Sequence, residues 1–392
     1  LHSDTHSFPT RRSSDLEPLS TLKISEAAEN PVAWPSPLWP ESANGATAPF
    51  SEFSAVSDSV VQTQQAEPLN TLKTSEVTEN PVAWPSPLWP ESAGDATAPF
   101  SAFSAVSDSV VQTDAENVEF VGHIGGRVKD VFVIGNYAYV GAGSQLAILD
   151  VSNSAAPTMV GKTAPFPDIV EGVCVSGDYA YVADGESGLR VVDISSPASP
   201  GEVGFYDTPG EAWDVAVAGD YAYVASWGSG LRVVDISSPS SPNEVGDYGA
   251  PGSAYDVAVA GDYAYVAAAG GLRVVDISNP TSPSEVGFYD TPGNVYGVAV
   301  AGDYAYVADG ESGLRVLDIS NPDSPSEMGY YDTPGSAHDV AVAGDYAYVA
   351  DRYGGLRVMD ISNPVSPNEV GFHDTSGSAM DVAVAGDYAY VA

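Results

Sequence analysis

A 42-residue unit recurs along the chain almost unchanged, and a period of that length built from short apolar runs leaves few folds open. Its core reads G-D-Y-A-Y-V-A, a short polar loop, G-L-R-V-V-D-I-S, a Pro/Ser loop, then E-V-G-x-Y-D-T-P-G. The Asp that opens the unit falls at Asp178, Asp220, Asp262, Asp303, Asp345 and Asp387, with Asn136 in the same place upstream. The spacing is 42 except for one unit of 41. A unit this small cannot bury an apolar face alone, so the copies must stack on one another as a propeller or solenoid.

Each unit divides into four short alternating runs bounded by turn residues. In the third, strand A is expected at Trp213–Ala218, B at Tyr221–Ala225, C at Leu231–Ser237 and D at Glu244–Tyr248. Gly219-Asp220 makes the A–B hairpin, and T-P-G after strand D suits a turn with Pro first and Gly at positive φ. Four-stranded antiparallel sheets in tandem pack radially as blades. Strand A, reading V-A-V-A, is small enough for a crowded channel. The paired tyrosines of strand B, such as Tyr221 and Tyr223, fill the space where blades diverge. Val118–Ile124 aligns with a strand D, and the chain ends at Ala392 after strands A and B. The expectation for 117–392 is an all-β, seven-bladed β-propeller whose seventh blade lacks strand C and is left gapped.

The upstream residues differ in character. Residues 1–16 resemble a translated sequencing-library adapter and are set aside. Residues 17–116 are a tandem duplication at a 50-residue offset, with N-P-V-A-W-P-S-P-L-W-P-E-S-A identical at 30–43 and 80–93. Proline crowds each copy and periodicity is weak, so a disordered linker is expected. Trp34, Trp39, Trp84 and Trp89 fit either a polyproline-like docking motif presented twice or a plain spacer.

Composition narrows the partners. A net charge of -40 leaves no basic surface for nucleic acid or anionic lipid. One cysteine excludes a disulfide framework, and Cys174, replacing an Ala of V-A-V-A, is expected in the core. No apolar run reaches membrane-spanning length, and no signal peptide is visible.

The units resemble the LVIVD repeat family, on the stretches Leu189–Asp193, Leu231–Asp235, Leu272–Asp276, Leu314–Asp318 and Leu356–Asp360. The first copy departs as L-A-I-L-D at Leu146–Asp150. The resemblance implies a propeller at a bacterial or archaeal cell surface, or secreted, and transfers no catalytic residue.

Two charge patterns repeat with the unit. Arg190, Arg232, Arg273, Arg315 and Arg357 lie three residues before Asp193, Asp235, Asp276, Asp318 and Asp360, on the opposite strand face. An ion pair across each blade gap is the simplest expectation. Asp130, Asp214, Asp256, Asp339 and Asp381 open strand A, with Gly172 and Gly297 interrupting them. They either hold a cation at the channel mouth or accept backbone N–H groups within their own turns.

Variation is confined. The A–B turns and C–D loops barely change, whereas the D–A and B–C connections, which chain direction places on the other face, do. The residue before the strand-A Asp is Lys129, Glu171, Trp213, Tyr255, Tyr296, His338 and Met380 in turn. The B–C loops carry Asp184/Glu186, Trp227, Ala268/Ala269, Asp309/Glu311 and Arg352/Tyr353. A run of aromatics on one rim reads as a recognition surface; neutral drift in exposed loops is the other reading.

Three function classes follow. The first is a non-catalytic binding module that takes a protein, peptide or glycan on the variable rim. The second is an enzyme with His338 as acid/base assisted by Glu171. The third is a structural display or spacer module, with calcium held weakly by D-G-E-S-G at 184–188 and 309–313. No cofactor motif is present.

Overall fold

In a computed structural model of the chain, residues 17–24 and 115–392 are described. The chain divides into two units, 1–29 with 111–392 and 30–110, and all described residues belong to the first. The Trp-Pro duplication at 30–43 and 80–93 lies outside the described residues, as do residues 1–16.

The repeats form the expected sheets. Blade two is Gly172–Ser176, Tyr179–Ala183, Leu189–Asp193 and Gly201–Tyr206, strands A to D in chain order. Blade three is Asp214–Ala218, Tyr221–Ala225, Leu231–Asp235 and Asn243–Tyr248, within two residues of the bounds read from sequence. Blades four, five and six repeat this order from Ala254–Ala260, Gly297–Ala301 and Asp339–Ala343. Blade one uses the second half of a long strand, Val118–Ile134, followed by Tyr137–Ala142, Gln145–Asp150 and Thr158–Lys162. The innermost strands touch in a circle that returns from Val382–Ala385 to Val118–Ile134. This is an all-β propeller of six antiparallel blades, each of strands A to D, and a partial seventh sheet; in the sixth blade Ala115–Glu116 adds a short fifth strand outside Asn368–His373.

The seventh sheet corrects two expectations. Glu17–Ile24 lies antiparallel between Tyr388–Val391 and Val118–Ile134, so the strand-C slot is filled rather than gapped. At least these residues of the supposed disordered linker form a strand. Lys23 faces Tyr388 and Leu22 faces Ala389, as Asp235 faces Tyr221 and Val234 faces Ala222 in blade three. The register shift between Thr21 and Leu22 matches the one between Val233 and Val234. Leu19-Ser20-Thr21-Leu22-Lys23-Ile24 thus occupies the places of L-R-V-V-D-I, with apolar residues at the first, fourth and sixth.

The cores lie between blades rather than within them. In one gap, Tyr223, Ala225, Leu231 and Val233 of blade three meet Val257, Ala264, Val266 and Val275 of blade four. Equivalent clusters fill the other gaps, including Tyr390 against Val131, Val140 and Leu149 where the circle closes. Burying both faces of every sheet explains the density of Val, Leu and Ile in strand C. Cys174 departs from expectation: it is only half-buried, packs against the cluster between blades two and three, and burial pushes its thiol up to about 12.

Two backbone devices orient the loops. In each full blade the N–H after strand C donates to the carbonyl of the A–B turn, as Ile236 does to Asp220 at 2.9 Å. This ties the invariant loops to one face. On the other face, Gly185, Trp227, Gly310 and Arg352 of the B–C loops bridge to Ala212, Ala254, Ala337 and Ala379, at or just before the start of the next strand A. The constant and variable connections therefore separate as the sequence indicated.

Candidate functional site at the variable mouth

The seven residues preceding strand-A positions meet around one opening. Each is held by its own sheet: the N–H of Trp213 donates to Ala225 O at 2.9 Å, Tyr296 to Ala308 O at 2.9 Å and His338 to Ala350 O at 2.8 Å. Their side chains then touch in blade order. Trp213 meets Tyr255 edge-on at 5.4 Å, Tyr255 meets Tyr296 at 5.1 Å, and Tyr296 stacks on His338 at 5.0 Å. His338 continues the arc through Nδ1 to Met380 O at 3.1 Å. Lys129 completes it from the other side, ion-paired to Glu171 and 6.0 Å from the Trp213 ring.

Burial tunes this circle. Burial, then the nearby Arg352 charge, lower the His338 pKa to about 4, so the imidazole is neutral at pH 7. Burial raises Glu171 despite the attraction of Lys129. Lys129 and Met380, the former engaged by Glu171, bracket the aromatic arc.

Directly after these residues comes a ring of carboxylates, Asp130, Asp214, Asp256, Asp339 and Asp381. Each of four reaches the next blade: Asp214 accepts Val257 N–H at 3.2 Å, Asp256 accepts Val298 at 2.6 Å, Asp339 accepts Val382 at 3.1 Å and Asp381 accepts Val131 at 2.6 Å. The expectation of N–H bonds within each Asp's own turn is corrected: apart from Asp256 on Val257, these bonds join blades around the channel. Gly172 and Gly297 interrupt the series for a steric reason. A Cβ at either would crowd the backbone and carboxylate of Asp214 or Asp339. Burial, and then the neighbouring carboxylates, hold Asp130, Asp256 and Asp381 well above the usual range. No cluster of three or more His, Cys, Asp or Glu with metal-binding geometry occurs among the described residues.

The B–C loops contribute unevenly. Trp227 is 41% and Tyr353 82% exposed, with the Arg352 guanidinium 5.8 Å from the Tyr353 ring. Trp227 and Arg352 have positive φ, 27° and 47°, where the equivalent residues are Gly185 and Gly310. Non-glycine side chains there cost about 1 kcal/mol of backbone strain. Asp184 and Asp309, read as part of the variable surface, are wholly buried and face inward with Asp351. Asp309 accepts Thr291 Oγ1 at 2.6 Å and Gly293 N–H at 3.0 Å, which ties the loop to the preceding D–A turn.

The repeated arginines also depart from expectation. They pair within their own blades, and Asp193, Asp235, Asp276, Asp318 and Asp360 are not their partners. Arg190 Nε donates to Asp184 at 3.1 Å, and Arg357 lies 2.9 Å from Asp374. The guanidinium also covers the ring opposite it on strand D: Phe205, Phe288, Tyr330 or Phe372 at 4.4–4.9 Å. In blade three that ring is Asp247, which lies 3.6 Å from Arg232 instead. In blade one Ala147 replaces the Arg and faces Lys162. That cross-strand covariation was available in the sequence. The Asp of L-R-V-V-D instead accepts the N–H two residues on, as Ser195 to Asp193 at 2.9 Å.

A repeat model described as LVIVD repeat matches residues 125–164, 169–208, 209–249, 251–291, 292–333, 334–375 and 376–392. The chain belongs to the LVIVD repeat family. The search of curated proteins returned no match. Among solved structures, this LVIVD chain is similar to the Cps50 (Swd1) β-propeller domain of Myceliophteria thermophila, at 12% identity and TM-score 0.56, covering 68% of this chain and 96% of that one. It is also similar to the computationally designed Ika8 protein, at 11% identity and TM-score 0.54, covering 70% and 84%. At these identities the LVIVD chain shares a fold with them and nothing finer.

Proposed function

We propose that this LVIVD propeller closes as seven blades and acts as a non-catalytic binding module, cell-surface or secreted, through its variable mouth. The observation that carries this reading is the unbroken arc Trp213–Tyr255–Tyr296–His338, one residue from each of four successive blades. Stability alone needs no such variety, because the same strand positions elsewhere in the blades are nearly invariant. Aromatic side chains provide rigid contact area at small entropic cost. The strained Trp227 and Arg352 support the same reading, since glycine serves the backbone at that position in two other blades. The partner is a protein, peptide or glycan rather than nucleic acid or membrane lipid, which the acidic surface repels.

The enzyme reading is weaker on specific grounds. His338 is neutral and its Nδ1 donates to the Met380 backbone carbonyl rather than to a carboxylate, and Glu171 is engaged by Lys129. The display or spacer reading predicts that the mouth residues are interchangeable. Replacing Trp213 and Tyr255 together by alanine is therefore expected to reduce partner capture by at least about tenfold, the scale of hot-spot truncation. The unfolding temperature is expected to fall by only a few degrees. Glycan-array and peptide-library binding read the first quantity and scanning calorimetry the second. Undiminished capture would leave the spacer reading standing.

A further inference from the structure

Blades five and six carry a staple between two loops of the variable face. Asp309, the first residue after strand B, accepts Thr291 Oγ1 at 2.6 Å and Gly293 N–H at 3.0 Å from the preceding T-P-G turn. Arg315 Nε lies 3.7 Å from the same carboxylate. Asp351 repeats the arrangement with Thr333 at 2.5 Å, Gly335 at 2.7 Å and Arg357 at 3.8 Å. Blade three keeps every donor of this cradle, Thr208, Gly210 and Arg232, but has Ser226 where the Asp belongs. We propose that the cradle of blade three binds a ligand carboxylate, which takes the position that Asp309 and Asp351 fill from within the chain. This rests on the variable mouth being the binding surface and adds the chemistry of its anchor.

Three observations favour a ligand over a discarded staple. Ser226 is wholly buried, and neither its Oγ nor the buried Arg232 Nε has a hydrogen-bond partner among the described residues. Buried donors left unmade cost free energy, which an incoming acceptor recovers. Thr208 Oγ1, with no carboxylate to reach, turns to Gly210 O at 2.6 Å. Next, the turn stands further from the loop in this blade. A Cβ placed on Gly210 would lie 2.9 Å from Ser226 O, whereas one on Gly293 or Gly335 would overlap the corresponding Asp carbonyl. Finally, blade four shows a staple given up on both sides: Ala268 replaces the Asp and Ala250 the Thr. Blade three loses the carboxylate alone. Asp247 does not restore the pair, for it lies 3.6 Å from Arg232 Nη1 and leaves Nε unmet.

The cradle adjoins the aromatic arc through the backbone. Trp227 follows Ser226 directly, and its carbonyl accepts Ala254 N–H at 2.9 Å, next to Tyr255. Trp213 N–H donates at 2.9 Å to the carbonyl of Ala225, the residue before Ser226. A carboxylate entering between Gly210 and Ser229, both partly exposed, is held within three residues of Trp213 and one of Trp227. The net charge of -40 repels anions at long range, but salt screens that beyond about 8 Å. At contact, charge-assisted hydrogen bonds from a buried guanidinium decide.

The test is thermal unfolding and isothermal titration of the full chain with acetate, against chloride at equal ionic strength and against acetamide, its neutral isostere. Saturating acetate is expected to raise the unfolding temperature by about 2 °C or more over both controls. Ser226→Asp supplies the carboxylate from the chain, so it is expected to raise the unfolding temperature by itself and to abolish the acetate response. Ser226→Ala removes the unpartnered hydroxyl and is expected to weaken acetate binding by about fivefold or more, with unfolding unchanged when acetate is absent. N-acetyl-triglycine with a free or an amidated C-terminus separates the two sources. A free form that binds about tenfold more tightly than acetate identifies a polypeptide terminus, and equal or weaker binding a small acid. Equal responses to acetate and acetamide, no response to either, or a full acetate response in Ser226→Asp overturns the proposal. If acetate fails while glycan or peptide capture still requires Trp213 and Tyr255, the anchor falls and the mouth remains a binding surface. If acetate binds and Ser226→Asp abolishes it while capture is indifferent to both aromatics, the cradle stands and the reading of the mouth falls.

Discussion

Alanine at Gly204 is expected to lower the unfolding temperature by roughly 5 °C or more, whereas alanine at Gly201, three residues earlier in the same strand, should leave it unchanged. A Cβ at Gly204 would overlap the carbonyl oxygen of Pro239 and stand 3.0 Å from Pro242 Cδ. Both belong to the C–D loop of the next blade. A Cβ at Gly201 meets nothing within 4 Å. The same close approach recurs at Gly161, Gly246, Gly287 and Gly329, each against the Pro-containing loop of the following blade. The glycine of E-V-G-x-Y is therefore a spacing residue that sets how near consecutive blades approach. Relief requires backbone movement between sheets, which overpacked cores resist. Thermal scans of the two single variants decide the matter; equal shifts would mean that blade spacing does not depend on this glycine.

Acidification from pH 8 toward pH 5 should raise the unfolding temperature, opposite to the usual behaviour of an acidic protein. Asp130, Asp256 and Asp381 hold protons in the folded state at pH values where the unfolded chain has released them. Stability from such groups is fully present below the unfolded value near 3.8 and is lost as pH rises through the raised folded value. Glu171, Asp184 (raised to about 6), Asp309 and Asp351 act in the same sense. His338 opposes them: its pKa, lowered to about 4, costs stability as pH falls below 6.5. One histidine is outweighed by seven carboxyls. Asp150, Asp193, Asp235, Asp276 and Asp318, lowered by their Ser hydrogen bonds, stabilise the fold above 3.8 and lose that contribution only in stronger acid. Asp256→Asn should flatten the profile, because an amide does not titrate, while losing one of the two backbone N–H bonds that the carboxylate oxygens accept from Val257 and Val298. A melting temperature that falls steadily from pH 8 to pH 5 would contradict the account.

The repeat period made the blades legible, since both the strand bounds of blade three and the separation of constant from variable loops follow from turn chemistry and alternation. The convergence of Trp213, Tyr255, Tyr296 and His338 also followed, because circular symmetry brings equivalent positions together. Three things were not legible. The fit of Glu17–Ile24 into the seventh sheet depends on register against Tyr388 and Phe120, which no local pattern announces. The arginine pairs were misassigned because strand-face alternation says nothing of loop carboxylates such as Asp184. The channel aspartates were expected to serve their own turns, whereas their partners come from the neighbouring blade, about 42 residues away in the chain.

Hydrogen exchange read by mass spectrometry, with and without a glycan or peptide selected from the array and library screens, tests most directly whether residues scattered along the chain make one recognition surface. The account predicts slowed exchange together at four separate segments, around Trp213, Tyr255, Tyr296 and His338, with the G-D turns unchanged. Protection on the G-D turns or the Pro/Ser loops, or at no segment at all, would contradict it.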